Sequence, residues 1–298
     1  MGQSGRHAHR GIVFILLQQV LPQHLLSRLS GWLAENRTAW LKNLLIERFA
    51  AHFDVDMSEA ANPDLRSYEN FNAFFTRSLR PDARPIAVES GSIVSPADGA
   101  ISQLGDIEQG RIFQAKSQSF SVVELLGGDA ARAEAFKDGK FATIYLSPRD
   151  YHRVHMPCAG ELSAQTYIPG DLYSVNQTTA ENVQRLFARN ERLVCFFETA
   201  TGPMAMVLVG AMIVAGIETV WSGQVAPPPR QARKIDYREL PATVTLGRGE
   251  EMGRFKLGST VILLFPDQAC RWESHLQANS LLRLGEVIAT ANFSDPSL

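Results

Sequence analysis

Cysteine is scarce in this chain of 298 residues. The three present, Cys158, Cys195 and Cys270, lie far apart and form no CxxC or Cys/His pattern. So sparse and odd a count argues for a reducing compartment and against both a disulfide framework and a zinc site. Long apolar runs are missing too. The stretch Ile12–Leu17 is interrupted by Gln18-Gln19 and Pro22, well short of the roughly 20 apolar residues that a spanning helix needs. Residues 18–27 offer no small-x-small site of the kind that ends a signal peptide. No internal repeat, P-loop or GxGxxG occurs. A net charge of −2 excludes the general affinity for nucleic acid expected of a basic chain.

What is present is a globular composition, 45% hydrophobic and 20% charged, enough for one main domain with an appendage. Charge is unevenly spread: residues 1–50 carry +4 and the remainder −6. Residues 1–11 lack apolar periodicity and read as a disordered leader. Beyond them Phe14, Leu17, Leu21, Leu25, Leu29 and Leu33 keep helical spacing. A second stripe runs through Trp40, Leu44, Leu45, Phe49 and Phe53, with Arg28, Arg37, Lys42 and Arg48 around both. Amphipathic helices with aromatic residues and a basic face suit the headgroup region of an anionic membrane. The competing reading is a helical cap on the protein's own core. Residues 12–66 are therefore expected to form a helical, membrane-associating region that ends in a polar linker (54–66). Residues 67–298 form the second unit.

A short helix is expected over Asn70–Leu79, stopped by Pro81 and Pro85. From Ile86 the pattern changes to short β-type runs with glycine-rich turns, so the expected fold class is α+β with a mostly-β core. Helices are expected near Val122–Phe136 and Ser174–Asn190. Residues 225–237 read as an exposed proline-rich loop, either a lid for an anionic headgroup or simply solvated.

Three stretches carry chemistry. In Leu257-Gly258-Ser259-Thr260, at the mouth of the apolar run Val261–Phe265, the Ser259 hydroxyl can add to the Gly258 carbonyl if a base activates it. The plain alternative is a turn entering a core strand. Ser95-Pro96-Ala97-Asp98-Gly99 is a strand running into a turn. Tyr151-His152-Arg153-Val154-His155-Met156-Pro157 follows the strand 141–146 and holds two of the seven histidines, the side chains best suited to moving protons near neutral pH. No third ligand accompanies the His-x-x-His, so no metal is expected.

Together, and in this order behind an amphipathic start, these motifs resemble bacterial, pyruvoyl-dependent phosphatidylserine decarboxylases from about Ile12 onward. The resemblance implies a proenzyme in which Asp98, His155 and Ser259 perform self-cleavage between Gly258 and Ser259. A β chain of residues 1–258 and an α chain of 259–298 would result. Ser259 would become a pyruvoyl group, the electron sink for loss of CO2. His152 would supply the proton afterwards. The same three side chains could make a serine hydrolase, but Ser259 is not in a G-x-S-x-G elbow. Also implied are a core similar to barrel-sandwich hybrid folds, peripheral attachment to the cytoplasmic face of the inner membrane, and a homodimer of αβ pairs. A pyruvoyl decarboxylase of a soluble amino acid and a non-enzymatic hybrid-barrel binding module are the alternatives. The phosphate-binding candidates Arg149, Arg153, Arg230, Arg233 and Lys234 are not ranked by sequence.

Overall fold

The computed structural model describes residue 18 and residues 23–115, 118–212, 216–226, 231–256 and 259–293. Residues 23–75 carry the helices α1 (Gln23–Ala34) and α2 (Ala39–Phe53) and the short α3 (Phe71–Phe75). The first strands are β1 (Ser92–Val94), β2 (Gly99–Asp106), β3 (Arg111–Ala115), β4 (Gln118–Ser121) and β5 (Lys140–Leu146). Next are β6 (Arg153–His155), β7 (Gly160–Ile168), β8 (Arg192–Thr199) and β9 (Gly202–Val209). There follow β10 (Gly216–Thr219), β11 (Gly223–Ala226), β12 (Arg233–Asp236), β13 (Thr245–Leu246) and β14 (Glu251–Lys256). The last are β15 (Ser259–Phe265), β16 (Cys270–Trp272), β17 (Leu281–Leu282) and β18 (Val287–Ala291). The fold is mixed, with strands predominating and helices few, as the sequence suggests.

Nine strands form one antiparallel sheet in the order β12-β7-β8-β9-β15-β5-β2-β17, with β13 also pairing β7. It does not close into a barrel; β12 and β17 are its ends. The apolar run of β15 follows from its place. It lies between β9 and β5, and all seven of its residues are buried. Val261, Leu263 and Phe265 join the core on one face, Ile262 and Leu264 that on the other, as expected for a strand covered on both sides. A four-stranded sheet (β11-β10-β14-β6) and a three-stranded one (β1-β18-β16) complete the frame.

The N-terminal helices divide between the two readings open to them. On α2, Ile46, Phe49 and Ala50 pack with Phe71, Phe74 and Phe75 of α3 into a separate cluster. The rings of Phe49 and Phe71 meet edge-on at 5.0 Å between centroids. Leu25, Leu29 and Trp32 of α1, and Trp40 and Leu44 of α2, stay exposed. No helix among the described residues is long and apolar enough to cross a membrane. Phe14, Leu17, Leu21 and the leader 1–11 lie outside the described residues. Glu35 ties this region to the rest: it accepts from the Asn70 and Asn72 amides at 2.8 Å and lies 3.4 Å from the Lys256 ammonium.

Three local expectations need correction. The helix expected over 122–136 is broken into Val122–Leu125 and Ala130–Glu134. Between them Gly127 (φ +77°) and Gly128 (φ +90°) take left-handed conformations that end a helix. The helix expected over 174–190 is likewise two short pieces, Gln177–Asn182 and Leu186–Arg189. Arg233–Asp236 is not loop but β12, paired with β7. The proline run 227–230 lies outside the described residues.

Candidate active site

The chain passes several times between the nine-stranded and four-stranded sheets, and the residues flanking two of these passages pair with one another. Residues 147–152 connect β5 to β6, and residues 257–258 connect β14 to β15. At one end Leu146 pairs with Ser259. At the other the Phe255 N–H donates to the His152 carbonyl at 3.0 Å. Leu257 and Gly258 themselves lie outside the described residues. The flanking pairs nevertheless fix His152 and Ser259 at the same crossing.

Local chemistry shapes the first crossing. Asp150 folds back on Ser147, accepting from its N–H at 2.7 Å and from its hydroxyl at 2.8 Å. Pro148 pre-sets the backbone at the second position of this turn. The turn delivers His152 beneath α3, where the Phe75 ring lies 4.0 Å from the imidazole. His152 Nδ1 is 2.8 Å from the Asp150 carbonyl. A carbonyl only accepts, so Nδ1 carries the proton and Nε2 is a bare acceptor. That Nε2 is buried without a partner, as are Ser259 Oγ and Thr260 Oγ1. Buried polar atoms are nearly always bonded, so orphans gathered at one place mark a site with chemistry to do.

Burial pushes the His152 pKa down to about 3 from an ordinary 6.5; the bond to Asp150 opposes this and the Arg77 cation adds to it. Unfolded, the ring titrates near 6.5, so below that pH the unfolded chain binds a proton that the folded one refuses. The stability contributed by neutral His152 is therefore present above about pH 6.5 and lost as pH falls toward 3. The slope is up to ~1.4 kcal/mol per pH unit. Denaturant titrations from pH 7 to 5 should register it, and His152→Gln should flatten it.

Gly99 brings the second motif in. It opens β2, opposite Leu282, and Ala100 pairs with Tyr145. A Cβ at Gly99 would stand 2.3 Å from the Tyr145 carbonyl oxygen, so only glycine fits. Since Tyr145 also pairs with Thr260, the Asp98-Gly99 turn lies two strands, or roughly 10 Å, from the start of β15. The Pro96 carbonyl accepts from the His155 N–H at 2.8 Å. All three motifs therefore converge on one end of the sheet.

Their side chains are not linked as a simple triad. Asp98 is gripped by Arg84, whose Nε and Nη2 lie 2.8 and 2.6 Å from its two oxygens. Arg84 also reaches Glu59 at 2.7 Å, and Asp98 accepts from the Leu284 N–H at 2.8 Å. His155 Nδ1 donates to the Gly249 carbonyl at 2.8 Å, and its Nε2 accepts from the Tyr151 hydroxyl at 3.2 Å. Burial lowers the pKa of His155, while the Gly249 bond, Glu251 and Asp98 hold it up. Asp98 thus acts on His155 through space, not through a hydrogen bond. His155 pairs with Glu251, eight residues before Ser259 in sequence, whereas His152 adjoins the crossing.

The phosphate candidates also separate. Arg153 is engaged by Glu251 at 2.8 Å. Lys234 pairs with Asp129 at 2.9 Å. With Arg233 it sits on β12, four strands from β15 and so roughly 19 Å away. Arg149 is exposed at the turn itself. Arg230 is outside the described residues. Sequence reasoning missed two arginines that the fold brings in, Arg84 and Arg77. Both sit in the α3-to-β1 stretch that reads only as a helix end and two prolines. No group of three or more His, Cys, Asp or Glu suited to a metal occurs among the described residues.

Comparison with known proteins agrees with this geometry. The family described as phosphatidylserine decarboxylase matches residues 71–290, and a second pattern described as PSD matches residues 13–54. A phosphatidylserine decarboxylase proenzyme of Azotobacter vinelandii is 61% identical over 281 residues, 94% of this chain and 98% of that protein. Proenzymes of the same description from Ectopseudomonas mendocina (60% over 280 residues) and Pseudomonas fluorescens (59% over 281) cover as much of this chain, 94%, and 98% of their own lengths. With likeness of that extent, and the three motifs gathered at one crossing, the chain belongs to the phosphatidylserine decarboxylase family.

Proposed function

We propose that this chain decarboxylates phosphatidylserine to phosphatidylethanolamine and CO2, with a pyruvoyl group made from its own Ser259. The observation that carries the proposal is that Ser259 Oγ and His152 Nε2 are both buried without a partner, on segments whose flanking residues pair with one another. A buried hydroxyl with no partner at the start of a fully buried strand suits a residue that is to be transformed. It does not suit one that attacks substrates from solution.

In the cleavage step, the Ser259 hydroxyl loses its proton to a base as Oγ bonds to the Gly258 carbonyl carbon. The C–N bond between the two residues then breaks, its nitrogen taking up the proton, to leave an ester. β-Elimination breaks the Ser259 Cβ–Oγ bond, freeing the Gly258 carboxylate and leaving dehydroalanine, whose hydrolysis releases ammonia and gives the pyruvoyl group. We assign the base to His155, whose Nδ1 contact with the Gly249 carbonyl leaves Nε2 the acceptor nitrogen, with the Tyr151 hydroxyl to be displaced from it. Asp98 stabilises the imidazolium through space. The pyruvoyl group supplies the electron sink for decarboxylation. His152 delivers the proton to the carbon that has lost CO2, and its enclosure under Phe75 keeps bulk water from doing so indiscriminately. A second reading is favoured by the register: His152, nearer to Ser259, is itself the cleavage base. Variant chains distinguish the two, as discussed below.

The exposed Leu25, Leu29, Trp32, Trp40 and Leu44 support peripheral attachment to an anionic bilayer, the inner membrane at its cytoplasmic face. The bilayer presents the serine headgroup at this surface. Barrel-sandwich kinship of the core and a homodimer of αβ pairs belong to the same proposal. Decarboxylation is tested by release of CO2 from phosphatidylserine in mixed micelles, with free serine as the control substrate. Attachment is tested by co-sedimentation with anionic vesicles. Replacing Leu29, Trp32 and Trp40 together by Ser should lower the bound fraction at least tenfold without changing turnover in detergent. Unchanged co-sedimentation would assign these side chains to some other surface.

A further inference from the structure

Arg77 is a buried cation without a counter-ion. It is 4% exposed, and among the described residues no carboxylate lies within ion-pair distance of it. The other arginines of the interior are provided for. Arg84 holds Asp98 and Glu59, and Arg153 holds Glu251. Arg192 gives its Nε, Nη1 and Nη2 to three carbonyls. Arg77 donates once, from Nη2 to the Arg149 carbonyl at 3.2 Å, and its Nε is buried with no acceptor. A guanidinium always carries its charge, and burying it uncompensated is costly unless an anion completes the site.

Its position says which anion. Arg77 lies two residues after Phe75, whose ring lies tilted against that of His152. The intervening Thr76 carbonyl accepts from Arg153 at 2.9 Å. The turn that covers Arg77 is the same 147–152 crossing that adjoins Ser259, and exposed Arg149 brings that turn to solvent. Phosphatidylserine offers two anionic groups, the carboxylate and the phosphodiester. A buried guanidinium on the carboxylate would stabilise the charge that the reaction removes, and so raise the barrier. The phosphodiester keeps its charge throughout, and a planar fork of N–H donors matches its oxygens.

We propose that Arg77 is the phosphate-binding residue of this site, donating from Nε to a non-bridging phosphodiester oxygen of the substrate headgroup. The assignment rests on phosphatidylserine being the substrate. It makes Arg77 a specificity residue that separates phospholipid from other serine-bearing amphiphiles.

The test compares wild type with Arg77→Gln and Arg77→Lys in mixed micelles. The KM and kcat for phosphatidylserine are measured beside the inhibition constant of an O-alkyl-L-serine ether of matched chain length. The ether keeps the amine and carboxylate but lacks the phosphate. Chain cleavage is followed on denaturing gels. Expected for Arg77→Gln is a cut chain, a KM raised at least tenfold, a kcat within about threefold, and an unchanged inhibition constant for the ether. Arg77→Lys, which keeps the charge but not the fork, should fall between. Equal weakening of phosphatidylserine and ether would put Arg77 on the carboxylate and overturn the proposal. Unchanged KM in Arg77→Gln, or failure of both variants to fold or cut, would overturn it also. A wild type that is cut but inactive on phosphatidylserine would instead remove the substrate reading beneath it.

Discussion

Ser259→Ala is expected to yield one uncut chain of 32.9 kDa with no measurable decarboxylation. The substitution removes a single oxygen that is fully buried and bonded to nothing, so it should leave the fold intact. Replacing an unpartnered polar atom with hydrogen removes a desolvation penalty of about 1–3 kcal/mol. The variant should therefore melt no lower than an uncut wild-type chain. Loss of function without loss of stability separates chemical necessity from structural damage. Ser259→Cys and Ser259→Thr keep a nucleophile and should cut slowly. A variant Ser259→Ala that is still cut would remove this residue from the processing step.

The second large effect divides the two histidines. His155→Ala and Asp98→Ala should remain uncut and hence inactive, while His152→Ala should cut and then decarboxylate about 100- to 10,000-fold more slowly, the range typical for loss of a positioned acid. Asp98→Ala carries a second consequence. It leaves the Arg84 guanidinium, 8% exposed, with Glu59 alone, and removes the acceptor of the Leu284 N–H. Asp98 thereby joins its own turn to Leu284, within the 40 residues that the proposed cut would release as the α chain. Arg84→Met is the informative companion. It frees Asp98 without removing its charge, so a cut Arg84→Met beside an uncut Asp98→Ala places the effect in the carboxylate. An uncut His152→Ala would instead make His152 the cleavage base, as its nearness to Ser259 allows.

Much of this was legible in the sequence where one physical requirement dominates. The run Val261–Phe265 announces a strand covered on both faces, because no other environment suits five consecutive large apolar residues. Gly99 was legible as a turn residue, although its reason is the Tyr145 carbonyl that lies against it. The helix 122–136 misled because helix-favouring residues surround Gly127-Gly128, and only the positive φ at both positions reveals the break. The α2 stripe was read as one face, yet it is two. Phe49 is claimed by α3, whose partnership the local spacing does not encode.

The site was legible in its members and not in its bonds. The motifs of Asp98, His152, His155 and Ser259 lie at one end of the sheet, but Asp98 is held by Arg84 and His155 Nδ1 by the Gly249 carbonyl, with no hydrogen bond between the two. Such pairings depend on which of many arginines and carbonyls the tertiary fold delivers. Arg77 was illegible for the same reason. Its distinction is the lack of a carboxylate partner and of any acceptor for Nε, and that becomes visible only when every candidate carboxylate has been placed elsewhere.

The central claim, that the chain turns its own Ser259 into the electrophile it works with, is tested most directly by intact-protein mass spectrometry under denaturing conditions, before and after borohydride reduction. The account predicts two chains divided between residues 258 and 259, with the 40-residue chain gaining two hydrogens on reduction. A single 32.9 kDa chain from an active preparation, or a small chain that begins with unmodified serine, would contradict it.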